Sequence, residues 1–145
     1  MKNETELQQA LYVIERYRAQ AESLARQRQM VMLTMEEHMR AKITLCEYEK
    51  QGEGREILVP AGANTFLYAK AMRPEKVLIG IGSDVVIEDT AAGAVQKLDD
   101  SIKTLEDADK RLTSRINDIE NQMAELSAEV EDEMRKASAK PAPKK

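Results

Sequence analysis

Two long stretches of the chain repeat apolar residues every three to four positions, and they flank a central stretch with a different pattern. Residues 4–51 contain neither Pro nor Gly, and helix-forming residues predominate there. Apolar or small residues recur seven positions apart in three neighbouring columns: Leu7, Ile14, Ala21 and Met35; Tyr17, Leu24, Val31 and Leu45; and Leu11, Ala25, Met32, Met39 and Cys46. This pattern predicts a long amphipathic helix with an apolar stripe about three positions wide, ending at the Gly-Glu-Gly sequence of residues 52–54.

The second periodic stretch lies towards the C-terminus and is more regular. Its apolar positions alternate in steps of three and four over five heptads: Val95, Leu98, Ile102, Leu105, Asp109, Leu112, Ile116, Ile119, Met123, Leu126 and Val130, with Asp109 as the one polar residue. Such a pattern is typical of a coiled coil. Each helix of about 45 residues would be roughly 65–70 Å long at 1.5 Å per residue.

Neither helix can bury its stripe alone, so we predict that the two pack against each other as an antiparallel pair. Both helices enter the central stretch, and their other ends must then lie side by side. This arrangement places six apolar residues at the free end of the paired helices: Leu7, Leu11, Ile14, Leu126, Val130 and Met134.

Three charged residues interrupt the stripes. Asp109 could set the register of the helix pair, as buried polar residues do in some coiled coils, or it could mark a local bend or a splayed region. Arg18 and Arg28 are expected to lay their aliphatic stems along the coil and keep their guanidinium groups in water.

The central stretch contains four runs rich in strand-forming residues: Glu56 to Val59, Thr65 to Ala71, Lys76 to Ile81 and Val85 to Asp89. Turn-forming residues separate them, including Pro60 to Asn64 and Gly82 to Asp84. We predict two consecutive β-hairpins, with Phe66 and Tyr68 on one face of the first.

These strands are apolar on both faces, which an isolated hairpin in water would not tolerate. Their edges also favour pairing with further strands. Because the helices already need each other, the hairpins are predicted to contact other subunits. The predicted contact residues are Ile57, Val59, Pro60, Phe66, Tyr68, Val77, Ile79 and Val86.

Composition and charge exclude several functional classes. The net charge of −4 argues against a nucleic-acid-binding surface, and the single cysteine suits a reducing compartment. The polar N-terminus and short apolar runs predict no signal peptide and no membrane span, so a cytoplasmic protein is expected. No residues form a catalytic or metal-ligating pattern, so we expect no enzymatic activity, no cofactor and no metal.

Several features keep two interpretations. The methionines of residues 30–39 fit core packing better than a direct binding role, although methionine suits adaptable surfaces. His38 and Cys46 are interpreted as structural residues. The basic tail of residues 137–145 is expected to be an inert solubilising segment, with contact to an acidic protein surface or binding to nucleic acid or a membrane as alternatives.

The helix–hairpins–helix order resembles the prefoldin family, specifically α-class subunits of the archaeal type. The residues that carry the resemblance are Val59, Pro60, Gly62 and Phe66 in the first hairpin and Val77, Gly80 and Gly82 in the second. The resemblance implies an α+β fold, in which a long antiparallel two-helix coiled coil carries two central β-hairpins that join an inter-subunit β-barrel. The expected divisions are a helix over residues 1–54, hairpins over 55–89, a helix over 90–136 and a disordered basic tail over 137–145.

The resemblance also implies a function. Two α subunits would assemble with four β-class subunits into a hexamer that holds unfolded client proteins without ATP and delivers them to a group II chaperonin. The helix ends described above would contact the client. The alternative is a structural coiled-coil scaffold or filament whose arms bind one defined partner.

Overall fold

The computed structural model describes residues 3–73 and 75–139 of the chain. Along the chain, four strands lie between two long helices, in the order α1 (Glu4–Gln51), β1 (Glu56–Gly62), β2 (Thr65–Lys70), β3 (Lys76–Gly82), β4 (Val85–Thr90) and α2 (Ala91–Ser138). The predicted α+β class, with two helices and two hairpins, is confirmed. Helix α2 continues two residues beyond the predicted end at residue 136, and the part of the predicted tail in residues 140–145 lies outside the described residues.

The chain divides into two compact units, and both helices run through both of them. We call Met1–Met32 together with Asp107–Lys145 the terminal unit, and Leu33–Glu106 the hairpin unit. Within the described residues, neither helix has a stretch that is apolar and long enough to cross a lipid bilayer.

In the terminal unit, the helices pack through the heptad positions that the sequence predicts. Ala10, Ile14 and Val130 form a buried cluster, and Leu7, Met123 and Leu126 pack against it. Residues near the start of α1 therefore contact residues near the end of α2, which confirms antiparallel packing of the two helices in this unit. Every position of the predicted α2 stripe, from Val95 to Val130, is buried or half-buried.

The stripe of α1 is narrower than predicted. Its first two columns are buried or half-buried, whereas Leu11, Ala25, Met32 and Met39 of the third column are exposed. A helix with a single partner helix buries only its two central heptad columns, and the neighbouring column lies at the edge of the contact. Four of the five residues of the third column therefore remain available on the surface of α1, whereas Cys46 is half-buried.

The polar residues of the stripes have different environments. In the terminal unit, Arg28 Nε donates a hydrogen bond of 2.7 Å to Asp109 Oδ1, so this core position is occupied by a cross-helix ion pair. The Arg28 side chain stays 40% exposed, and its guanidinium has in addition a partner on the other helix, which was not predicted. Arg18 is exposed and pairs with Glu15 one turn earlier.

The hairpin unit contains two separate two-stranded antiparallel sheets, β1–β2 and β3–β4. In the first, Leu58 is paired with Tyr68 and Pro60 with Phe66, which confirms that Phe66 and Tyr68 share a face. The second hairpin has the same length, and its register shifts at the corresponding place, between Gly80 and Gly82. Both turns require left-handed backbone, with φ of 46° at Ala63 and 50° at Ser83.

Hydrogen bonds join the segments on either side of the first hairpin. Gly54 N–H donates to the Ala71 carbonyl, and Ala71 N–H donates to the Arg55 carbonyl, each at 2.8 Å. Ala71 and Ala91 are buried, and Ala91 N–H at the start of α2 donates a 3.0 Å hydrogen bond to the Glu75 carbonyl before β3. The Thr90 hydroxyl accepts a 3.0 Å hydrogen bond from Gly93 N–H and so caps the start of α2.

Candidate interaction surfaces

The two hairpins expose most of their apolar side chains, and we call these side chains the hairpin surface. Tyr68 is 79% exposed, Leu78 72% and Phe66 56%. Exposure of this extent is unusual for side chains of this size, and a group of such residues marks an interaction site. Burying each of them against a partner would stabilise an assembly by about 1–2 kcal/mol.

The residues predicted to contact other subunits differ in their solvent exposure. Val59, Pro60, Phe66, Tyr68 and Val86 are exposed, whereas Ile57, Val77 and Ile79 are half-buried. Among the described residues of the hairpins and their connection, six further large apolar residues are exposed and were not predicted as contacts: Leu58, Leu67, Met72, Leu78, Ile81 and Val85. Each of them lies in or beside a run with apolar residues on both faces, and that pattern was a sufficient signal to include them.

The backbone of the hairpins is also available for pairing. Each sheet has only two strands, so each strand has one edge without a neighbour among the described residues. Unpaired strand edges present rows of N–H and C=O groups that can pair with another chain. Apolar faces and open edges together make the hairpins suited to pairing with strands of other subunits.

A second exposed apolar surface lies in the terminal unit. Leu11, Tyr12 and Met134 are 44%, 65% and 52% exposed, and we call them the terminal patch. Tyr12 was not predicted, because it lies outside the three heptad columns. The other predicted tip residues are less available: Leu7 and Leu126 are half-buried, and Ile14 and Val130 are buried in the core between the helices. Contact of these residues with a client stays a prediction.

Carboxylates surround the end of α2. Lys136 Nζ lies 2.8 Å from Asp132 Oδ2 and 3.8 Å from Glu133 Oε1. The hydrogen bond from Lys136 lowers the pKa of Asp132, and the same bond raises the pKa of Lys136. One lysine is thus shared by two carboxylates, and Arg135 is the other basic residue of the last turn of α2.

In the hairpin unit, Met39 and Ile43 of α1 line a groove with Ile102 of α2. Lys42 Nζ lies 2.6 Å from Asp99 Oδ1 in this groove, and this hydrogen bond raises the pKa of Lys42. Met30, Met32 and Met39 are exposed, so the interpretation of the methionine cluster as core residues is wrong for these three; Met35 is half-buried.

The remaining candidate residues have structural environments. The Nδ1 of His38 lies 2.8 Å from the Thr34 carbonyl oxygen one turn earlier. Cys46 is a free, half-buried thiol. Within residues 3–73 and 75–139, no three His, Cys, Asp or Glu side chains are arranged to hold a metal ion.

Comparisons with a family model and with known proteins identify the same family. The model of the prefoldin subunit family matches residues 17–136. A prefoldin subunit alpha from Methanoregula boonei is 30% identical over 135 residues, which are 93% of this chain and 88% of the relative. A prefoldin subunit alpha from Methanospirillum hungatei is also 30% identical, over 92% of this chain and 89% of the relative.

Solved structures agree with the fold. A chain of filamentous prefoldin from Methanocaldococcus jannaschii aligns with a TM-score of 0.72 and 25% identity, covering 81% of this chain and 98% of that chain. The prefoldin beta subunit from Thermococcus strain KS-1 aligns with a TM-score of 0.62 over 93% of this chain and 98% of that chain; at 22% identity it supports the fold alone. With two long helices, two hairpins and a family model that matches most of its length, the chain belongs to the prefoldin family of chaperone subunits.

Proposed function

We propose that the chain is the α subunit of an ATP-independent holdase, which captures unfolded proteins with the free ends of its helices. The observation that carries the proposal is the terminal patch: Leu11, Tyr12 and Met134 stay exposed although the residues beside them are packed. A surface that binds clients of undefined sequence needs accessible apolar groups without a fixed complementary shape. Exposed Leu, Tyr and Met side chains have these properties.

The hairpin surface supports assembly in this proposal. Exposed side chains such as Phe66 and Leu78 would be covered by strands of neighbouring subunits in an inter-subunit β-barrel. We propose β-class prefoldin subunits as the partners, with two α and four β chains in a hexamer. The similarity of fold between this chain and a prefoldin beta subunit is consistent with the two classes forming a common barrel.

The small size of the terminal patch explains why the paired helices of several subunits, here called arms, would be needed to hold one client. Half-burying three side chains on a client releases about 3–4 kcal/mol. The loss of translational and rotational freedom on association opposes binding by about 4–15 kcal/mol. One arm alone would therefore hold a client too weakly, whereas several arms acting on one long client raise the effective concentration and produce useful affinity.

Weak binding by each arm also suits release. Contacts of a few kcal/mol break rapidly, so a client can leave one arm at a time. We propose that the client passes in this way to a group II chaperonin, and that both proteins act in the cytoplasm.

A second candidate function is a filament or scaffold, and one specific observation favours it. The similar chain from Methanocaldococcus jannaschii belongs to a filamentous prefoldin. Two equivalent hairpins with open edges on one chain could propagate pairing in two directions instead of closing a hexamer. In this alternative, the chain alone forms long assemblies, and a β-class subunit does not terminate them.

The test measures suppression of aggregation. Two unrelated, chemically denatured proteins are diluted into buffer with the chain and a β-class prefoldin subunit, without nucleotide, and light scattering is recorded. Leu11→Glu combined with Met134→Glu should abolish suppression. The matched control is Gln20→Glu combined with Gln27→Glu, which adds the same charges at exposed polar positions of the terminal unit.

The assembly mass of each variant is measured in parallel. Loss of suppression at unchanged mass supports capture by the terminal patch. Full suppression by the double Glu variant would refute it. Long assemblies that ignore both denatured proteins would favour the scaffold.

A further inference from the structure

Two residues of the terminal patch, Leu11 and Met134, lie on one flank of the paired helices. Leu7 and Ile14 of α1 occupy one core column seven residues apart, so Leu11 lies in the column beside it. On α2, Met134 has the same relation to the buried Val130. Because the helices are antiparallel in this unit, these equivalent edge columns lie on the same side of the pair.

Leu11 and Met134 are close enough along this flank to bind one short segment. Since Leu11 lies near residues 126–127 of α2 in the antiparallel register, Met134 lies about seven residues further along, or roughly 10 Å. Two half-exposed side chains bury on the order of 100–200 Å² against a partner. A stable protein–protein interface needs about 800 Å² on each side. The flank therefore fits a transient occupant better than a second folded subunit.

Charge is distributed unevenly around this apolar flank. Residues 118–134 contain seven carboxylates and no Lys or Arg: Asp118, Glu120, Glu125, Glu129, Glu131, Asp132 and Glu133. Arg135 and Lys136 follow this segment, and residues 3–19 and 118–139 together have a net charge of −6, against −4 for the whole chain. The acidic character is thus concentrated at the helix ends that carry the patch.

Two exposed carboxylates, Glu131 of this segment and Glu4 of α1, lie on or beside the flank. Glu131 follows Val130 and is exposed, and Glu4 is exposed one heptad before Leu11. Lys136 interacts with Asp132 and Glu133, and Arg18 pairs with Glu15. After these pairings, the flank still offers carboxylates beside exposed apolar side chains.

We propose that the terminal patch binds segments of unfolded clients in which Lys or Arg residues lie next to apolar residues. The inference rests on the holdase function proposed above and names its client class. Apolar side chains of the segment contact Leu11 and Met134, and its cations lie beside Glu4 and Glu131. Complementary charge adds to the apolar contact and speeds the encounter, whereas an acidic segment is repelled.

The test uses fluorescein-labelled peptides of twelve residues that share the same leucine positions and carry Lys, Gln or Glu at the others. Binding to the purified assembly is measured by fluorescence anisotropy at low and at physiological salt. The Lys peptide is expected to bind roughly tenfold more tightly than the Gln peptide at low salt, and salt should reduce the difference. Glu4→Gln combined with Glu131→Gln should weaken binding of the Lys peptide only.

A matched control is Glu36→Gln combined with Glu37→Gln, which removes two exposed carboxylates of α1 in the hairpin unit. This control should keep the preference for the Lys peptide. Equal binding of all three peptides, or an unchanged preference in Glu4→Gln/Glu131→Gln, would overturn the inference and leave the holdase function intact. No binding of any peptide, together with no suppression of aggregation, would overturn both. A change of assembly mass in Leu11→Glu would make the flank an interface between copies and would also overturn the inference.

Discussion

Replacement of either partner in the Arg28–Asp109 pair should destabilise the terminal unit by different amounts. The two side chains are joined by a 2.7 Å hydrogen bond across the helices, and the Arg28 side chain is 40% exposed against 23% for Asp109. Exposed pairs contribute up to about 1 kcal/mol, whereas breaking a buried pair costs about 3–5 kcal/mol. The intermediate exposure of this pair places the effect between these limits, at about 2 kcal/mol.

The two single substitutions are not equivalent. In Asp109→Ala, the long Arg28 side chain can rotate its guanidinium into water, so the loss should be about 1 kcal/mol. In Arg28→Ala, the short side chain of Asp109 leaves its carboxylate among apolar residues, so the loss should be about 2–3 kcal/mol. Replacing both residues with Leu completes the apolar stripes and should restore or exceed the original stability.

Chemical unfolding followed by circular dichroism, at one protein concentration and with the assembly mass confirmed, gives these free energies. The double-mutant cycle with alanine should show a coupling of about 1–2 kcal/mol. Equal losses for the two single substitutions, or a coupling near zero, would refute the view that the pair occupies a partly buried core position.

Three further predictions concern the hairpin unit. Ala63→Gly should raise the free energy of unfolding by about 0.5 kcal/mol, because Ala63 has a φ of 46° and glycine adopts it without strain; a lower melting temperature would contradict this. Gly93→Ala should give almost no stabilisation, although alanine favours a helix over glycine by about 1 kcal/mol, because the new Cβ atom would lie 2.5 Å from a carboxylate oxygen of Asp89. In an Asp89→Ala background, Gly93→Ala should stabilise the protein by the full amount. A full gain in stability with Asp89 present would refute the contact. The hydrogen bond from Lys97 lowers the pKa of Asp89 below its ordinary 3.8, so the stability from this pair is complete above that value and is lost as the pH falls through the lowered pKa. The difference in melting temperature between the original chain and Asp89→Asn should therefore vanish in acid, and a constant difference would contradict the assignment.

The helices and hairpins could be predicted because their signals are local. Heptad spacing from Val95 to Val130 reports directly on which face of a helix is covered, and every one of these positions is buried or half-buried. The turn residues of both hairpins were equally informative, since Gly62 and Gly82 precede turns with left-handed backbone.

The degree of exposure could not be predicted in the same way, because it depends on the partner helix. Leu11 and Ile14 both occupy predicted columns, yet one is 44% exposed and the other 8%. Val130 was expected at the free helix ends and is 4% exposed, so a charged substitution there would disrupt the core and would not test a binding surface. The partner of Arg28 lies 81 residues away, and no local pattern connects the two.

The central claim is that the exposed hairpin side chains are covered by strands of other subunits. Sedimentation velocity on the chain, alone and with a β-class prefoldin subunit, tests this claim most directly. The account predicts particles several times larger than the 16.3 kDa monomer, and their dissociation in Phe66→Glu combined with Tyr68→Glu. If the chain sediments as a stable monomer both alone and in the presence of the β-class subunit, the central claim is contradicted.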